Sequence, residues 1–423
     1  ASGTLSAPDG QDRFTVSGNW VHPGGTFTPN GGEVIFDGTP QILSGDTTFY
    51  DLTKEVPDGA SQTLVLTAGR TQTVTHALTL TGYDDTDLLL IESSVPGTLA
   101  YLSLLSGGAQ EIRNVEVHDN QAWMVPLIAR GDSDISDNTL DWALNATMTW
   151  TGAADTNWEN PYNWDMGIVP FDGDGVTIGD NAVIPDVVLQ PVLSDHVRPS
   201  ALTIASGATL STAGYGLYVD GTFQNDGVIY LQGTEAVVLT PDIDSGRFHY
   251  QGNAGGGTIS VPTGGQPVSF YDLTFDADDA QPETFALGAD LFIYGDLSVA
   301  GGALLDAGSV SLDVDGDLTI SGDGRLTAPG TGETLTLGGD FTAAQPGSTF
   351  TANGGRLTLD GADQSILGQV MFYDLDKQVP DGQSQTLSFY PGLTVGVAHS
   401  LTLTGFDETD RLTVNSSGAV EGY

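Results

Sequence analysis

The chain repeats itself at two scales, and this constrains its fold more than any other feature. The segment from Asn30, NGGEVIFDGTPQILSGDTTFYDLTKEVPDGASQTL, returns from Asn353 as NGGRLTLDGADQSILGQVMFYDLDKQVPDGQSQTL. The offset of 323 residues holds through Phe49/Phe372, Lys54/Lys377, His76/His399 and Gly82/Gly405. Upstream, GTLSAPDG at Gly3 matches GRLTAPGT at Gly324 after a short slip, and a third FYDL spans Phe270 to Leu273. Inside the modules lies a finer period. Gly295-Asp296-Leu297, Gly316-Asp317-Leu318 and Gly339-Asp340-Phe341 follow one another at 21 and 23 residues, each flanked by short alternating runs such as SLDVDG and TLTLGG.

Three short strands between Gly, Asp and Pro turns, repeated every 21–23 residues, describe one coil of a parallel β-helix. A string of β-sandwiches has turn signals at similar spacing. The solenoid is preferred because successive coils resemble each other, which successive sandwich strands need not do. The predicted fold class is therefore all-β, a β-solenoid. Roughly 19 coils at about 4.8 Å would make a rod of about 90 Å.

Composition fits an ordered β protein. With 39% apolar residues in alternating order the chain can bury a core despite its formal charge of −44. Of the 55 acidic residues 44 are Asp, which disfavours helix and favours turns. The 11 basic residues cannot supply the footprint that nucleic acid or an anionic membrane demands. No run of about 18 apolar residues argues for insertion into a bilayer. The first residues lack the layout of a signal peptide, so the chain reads as mature or excised. Without cysteine there is no disulfide, thiolate site or thiol nucleophile.

A shift in composition near residue 147, where Trp150, Trp158 and Trp164 crowd together, suggests three parts. These are a solenoid unit at 1–146, a Trp-rich lead-in with coils at 147–353, and a partial second copy of the first module at 354–423. The tryptophans are expected to cover an open coil end or wedge it against the preceding unit.

The NGGxVxFDGxxQxIxGxxxFYDL module, the WTG…NWxxPxNWxxGxVP stretch and LTLTGYDDTDLLLIESSVPGTLAYLSL resemble repeats of large bacterial surface and secreted β-helix proteins, the adhesin or haemagglutinin-like group. That resemblance implies an extracellular, cell-surface location and a structural, non-enzymatic role as a segment of a fibre or adhesin. Partners would be copies of itself, surface glycans or a host receptor. The alternative is a carbohydrate-active β-helix, for polysaccharide binding or glycoside hydrolysis.

Candidate sites are few. Calcium prefers hard oxygen ligands, and Asp84-Asp85-Thr86-Asp87, Asp172-Gly173-Asp174, Asp313/Asp315/Asp317 and Asp407/Asp410 offer them, although Gly324 stands where an EF-hand loop needs Glu. Asp-Gly turns explain the same residues without metal. Arg198 and His196 near Asp186 and Asp195, and Arg247 and His249 near Asp244, are the only places where acid, base and cation meet in sequence. Turn and surface roles are the simpler explanation for both. Arg130-Gly131-Asp132 spells an integrin tripeptide. Lys54 and Lys377, the only lysines, are expected to pair with Asp51 or Asp58 and their counterparts. His76 and His399 suggest a structural role at a strand edge. Asn145 and Asn415 fit a glycosylation pattern. Thr-x-Thr elements fall once per module, too sparse for an ice-binding face.

Overall fold

The computed structural model describes residues 3–10, 12–171, 179–262, 265–277, 280–344 and 346–416. Parallel strands stack coil on coil in about 17 turns, and no α-helix occurs among the described residues. The 21- and 23-residue steps are present, with Leu297 pairing with Leu318 and Leu318 with Phe341. Other steps are longer, as where Thr71 pairs with Tyr101 and Leu89 with Val115, so the coils are fewer than the sequence period suggests. The chain divides into two compact units, Ala1–Val183 with Val187–Leu189, and Ile184–Asp186 with Gln190–Tyr423. The expected boundary near 147 thus falls inside the first unit.

In the first unit the long strands Thr71–Thr81 and Val115–Met124 each turn a corner, so that their two halves pair with different neighbours, and Thr47–Glu55 follows Thr71–Thr81 round the bend with a register shift between Phe49 and Asp51. The corner in Thr47–Glu55 changes which residues face inward. Before it Thr47 and Phe49 are buried, and after the register shift at Asp51 it is Leu52 and Lys54. A solenoid corner thereby does what a one-residue slip does in a flat sheet, moving a whole set of side chains to the other face. Trp20, Phe27, Phe36 and Phe49 pack as an aromatic cluster with centroids 5.0–6.2 Å apart. The tryptophans of the lead-in make a second one, with Trp164 4.8 Å from Trp158 and 5.3 Å from Trp150. Buried Asn163 holds the segment's loop, donating to Asp155 and the Asn157 carbonyl and accepting from the Ala154 and Asp155 N–H groups. Gln110 donates to the Met166 carbonyl, which seats the segment against the preceding coils.

In the second unit three parallel sheets run along the stack, of 10, 5 and 7 strands. Alternation sends every second residue inward, and in-register pairing piles like upon like. Leu273, Leu297, Leu318 and Phe341 form one buried column, and Phe275, Val299, Ile320 and Ala343 another. Each fully buried Leu or Phe contributes about 1.5–3 kcal/mol, so columns of this kind hold the coils together. The aromatic cluster of the first module has its counterpart in Phe341, Phe350 and Phe372, with centroids 5.2–5.3 Å apart.

The Gly-Asp repeat has a steric origin. The N–H of Gly316 bonds the carbonyl of Gly295, and that of Gly339 bonds the carbonyl of Gly316. A Cβ at Gly316 would lie 2.5 Å from the Gly295 oxygen and against the Asp296 carboxylate. Gly316→Ala should therefore lower stability by about 1–3 kcal/mol. Gly288→Ala, where a Cβ meets nothing within 4 Å, should leave it unchanged. Urea denaturation of both variants checks this.

Candidate functional site

Among the predicted calcium ligands, Asp84, Asp87, Asp407 and Asp410 sit in turns where their carboxylates accept hydrogen bonds. Asp84 Oδ1 accepts from the Thr86 N–H at 2.9 Å, the Thr86 hydroxyl at 2.7 Å and the Asp87 N–H at 3.0 Å. Those bonds, the Thr86 hydroxyl first, hold the Asp84 carboxyl below its ordinary value. Asp87 is buried, and its Oδ2 accepts from the Gly59 N–H at 2.8 Å, tying this loop to the VPDG turn one coil away. Asp407 and Asp410 repeat the arrangement on Thr409 and Gly382. Asp85 is exposed. Asp172 and Asp174 lie outside the described residues. Asp313 sits on the outer side of Leu312–Val314, raised above the usual carboxylate range by partial burial and then by the charges of Asp315 and Asp360. No group of three or more acidic or histidine side chains converges to hold a metal among the described residues.

Asp317 belongs instead to a ladder. The Asp296 N–H donates to Asp272 Oδ1 at 2.9 Å, the Asp317 N–H to Asp296 at 2.8 Å and the Asp340 N–H to Asp317 at 2.7 Å. The Ser365 N–H continues it onto Asp340. One carboxylate per coil thus accepts from the coil above, over the glycine that leaves it room.

The two lysines correct the sequence reading. Neither forms the expected pair with Asp51, Asp58 or their counterparts; both are fully buried. Lys54 Nζ donates to the Gly38 carbonyl at 2.7 Å, Gln62 Oε1 at 3.0 Å, Gln41 Oε1 at 3.2 Å and the Phe36 carbonyl at 3.4 Å. Lys377 donates to the Gly361 carbonyl at 2.8 Å and Gln364 Oε1 at 2.7 Å. Gln41 and Gln364 in turn donate to pairs of carbonyls on the coil below. Every partner of the amines is an acceptor, as an ammonium requires. Burial pushes Lys54 down to about 8 against the charge of Asp37, and lowers Lys377 against Asp360 and Asp363.

The tripeptide and the mixed clusters are also structural. Arg130 bonds Asp180 at 2.7 Å and the Val169 carbonyl at 3.0 Å and lies over Phe171, while Asn114 Oδ1 accepts from the Asp132 N–H. With its guanidinium committed, the Arg130-Gly131-Asp132 sequence does not present a free integrin motif. Arg198 grips Asp220 through two nitrogens at 2.8–3.1 Å, and His196 Nδ1 accepts from the Gly216 N–H. Arg247 pairs with Asp272, and burial lowers His249 below its ordinary value.

Sequence reasoning missed the most organised outer cluster. At the corner of Thr47–Glu55 the adjacent Tyr50 and Asp51 both reach His76. Tyr50 stacks on the imidazole at 4.5 Å and 10°, and Nδ1 donates to Asp51 at 2.7 Å. Tyr162 of the Trp-rich segment closes the stack at 5.1 Å and donates its hydroxyl to Nε2 at 2.9 Å. Burial first, then Asp51 and Tyr50, raise the Tyr162 pKa, so its phenol remains a hydrogen-bond donor and is not activated as a nucleophile. Tyr373, His399 and Asp374 repeat the stack at 4.9 Å and 10°. The histidine is thus a latch. Beside it lies a groove of about 810 Å³ lined by Leu78, Gln110, Glu111, Arg113, Glu159 and Phe171 among others, in which Arg113 pairs with Glu111 at 3.3 Å. The only sequence signal for either was the coincidence of His76 with His399.

No family model, curated protein or solved structure matches the chain.

Two outcomes follow from the buried lysine and the ladder. Between about pH 8 and 10.5 the unfolded chain holds a proton on Lys54 that the folded chain has released, so stability rises with pH in that window. Denaturant midpoints at pH 7.5 and pH 10 should show wild type gaining on Lys54→Met by about 3 kcal/mol at most. Asp317→Asn keeps an acceptor and removes a charge, so it should stabilise at low salt and lose the advantage at high salt. Asp317→Leu removes the acceptor of the exposed Asp340 N–H and should cost about 0.5–1.5 kcal/mol at high salt, where the charge effect is screened.

Proposed function

We propose that the chain is a structural element of an extracellular, cell-surface fibre or adhesin, stiffened by coil stacking and able to associate end to end with its own kind. The observation that carries this reading is that the side chains singled out for chemistry tie coil to coil: the Asp ladder, the lysine–glutamine clusters and the Asp87 and Asp410 loops. Nothing in these arrangements calls for catalysis, and we read the chain as non-enzymatic. End-to-end association draws support from the repeat itself: the second copy carries strands like those that pair in register in the first, with Leu375 on Leu401 as Leu52 is on Leu78. A divalent cation would act here by screening stacked carboxylates, with no need for a loop cage.

A second reading, the carbohydrate-active β-helix, is favoured by the groove of about 810 Å³ and its two glutamates. It is the binding half of that reading that the outer surface develops further.

Electron microscopy at physiological salt, with and without a chelator, tests the first reading. Filaments should form, and Leu401→Asp or Val414→Asp should abolish them while circular dichroism stays unchanged. Separate particles in every condition, or filaments that survive both substitutions, would remove it.

A further inference from the structure

In-register stacking writes columns of side chains on the outside of the first unit as well as in its core. Thr48 pairs with Thr73, Thr73 with Ser103 and Ser103 with Trp123. One step along the same strands, Thr71 pairs with Tyr101, Tyr101 with Gln121 and Gln121 with Leu140. Thr48 and Thr73 in one column and Thr71 in the other therefore lead across successive coils towards an aromatic pair, Tyr101 and Trp123, packed edge to face with centroids 6.0 Å apart, while Ser103 between them is buried. Of the six tryptophans five are at least 91% buried, and Trp123 alone is 52% exposed. Alternation should turn one of any two neighbours inward, yet Trp123 and Met124 both face solvent. The Val125 N–H donates to the Trp123 carbonyl at 3.2 Å, closing a γ-turn over Met124, whose φ of 78° is rare for a side chain of its size. Beyond the turn Val125 returns to the core. The backbone is held in a disfavoured conformation, and the result is an aromatic platform kept out of the core. Beside it Gln121 donates to Asp141 at 3.1 Å, placing an amide and a carboxylate at the platform's edge.

We propose that this face binds a neutral polysaccharide, with a sugar ring stacked on Trp123 and the chain of sugars running along the columns of Thr48, Thr73, Thr71 and Gln121. The proposal rests on the carbohydrate reading above and supplies its binding site. An exposed ring beside hydroxyl, amide and carboxylate groups matches a ligand whose faces are apolar and whose rim is hydroxylated. The net charge of −44 repels polyanions, and the exposed ring beside hydroxyl and amide groups favours an uncharged glycan.

Because Trp123 is the one solvent-exposed tryptophan, acrylamide quenching of intrinsic fluorescence reports on it selectively. Soluble probes would be an unbranched β-glucan, an α-glucan, a galactomannan and, as the charged control, polygalacturonate. At least one neutral polymer should protect the quenchable signal, polygalacturonate should not, and Trp123→Ala should weaken binding in affinity electrophoresis at least tenfold with unchanged circular dichroism. Trp123→Phe should retain part of the affinity, and Tyr101→Ala should lose part of it. Binding by wild type that Trp123→Ala leaves intact would overturn this site while leaving the carbohydrate reading standing. No binding to any neutral polymer would overturn both. Concentration-dependent association of the chain, abolished by Trp123→Ala, would reassign the platform to contact between copies.

Discussion

Among the described residues every strand pair is parallel and joins one coil to another, in register except for local shifts, and the other features follow from that pairing. A parallel ladder satisfies the backbone only if successive coils superpose. Whatever side chain a position carries is then repeated at about 4.8 Å on the next coil. In the core this produces the Leu273 to Phe341 column. On the surface it produces columns of like charge and like hydroxyls. At Gly295, Gly316 and Gly339 it removes the room for any side chain, because the carboxylate of the coil below crosses there.

The same pairing explains how so acidic a chain tolerates its charge. Stacked carboxylates repel, but Asp272, Asp296, Asp317 and Asp340 each take a backbone N–H from the next coil, so the repulsion is set against a charge-assisted hydrogen bond at every step. The lysines solve the opposite problem. A corner turned at Asp51 or Asp374 carries Lys54 or Lys377 inward, where carbonyls and glutamine oxygens replace water around the ammonium. Both devices lie between coils, and both recur in the two copies or along the stack.

Against that background the outer aromatic platform stands apart. The His76 stack joins the Trp-rich segment to the coils and has a copy at His399. Tyr101 and Trp123, by contrast, join nothing to anything, and the γ-turn at Met124 holds the tryptophan away from a core that has taken in the other five. A surface group kept exposed against the alternation of its strand is a reason to look outward for its partner.

Much of the architecture was legible in the chain because a solenoid is written locally. The 323-residue repeat, the 21- and 23-residue steps and strand alternation are all short-range signals, and they determined the class of fold, the parallel pairing and the inward leucine columns. The sites were less legible, since each depends on which residues a full coil apart face one another. At Asp84 and Asp407 the sequence shows oxygens and hides the N–H groups they accept from. Lys54 looked paired with Asp51 or Asp58 because the corner that reverses its direction leaves no mark in composition. Arg130-Gly131-Asp132 looked free because Asp180, fifty residues on in the same unit, is brought to it only by the fold. The sequence by itself determined that this protein stacks coils. Tertiary structure alone decided which of its charges are buried, which are paired and which aromatic ring meets solvent, because those outcomes are set by corners and coil register and not by neighbours along the chain.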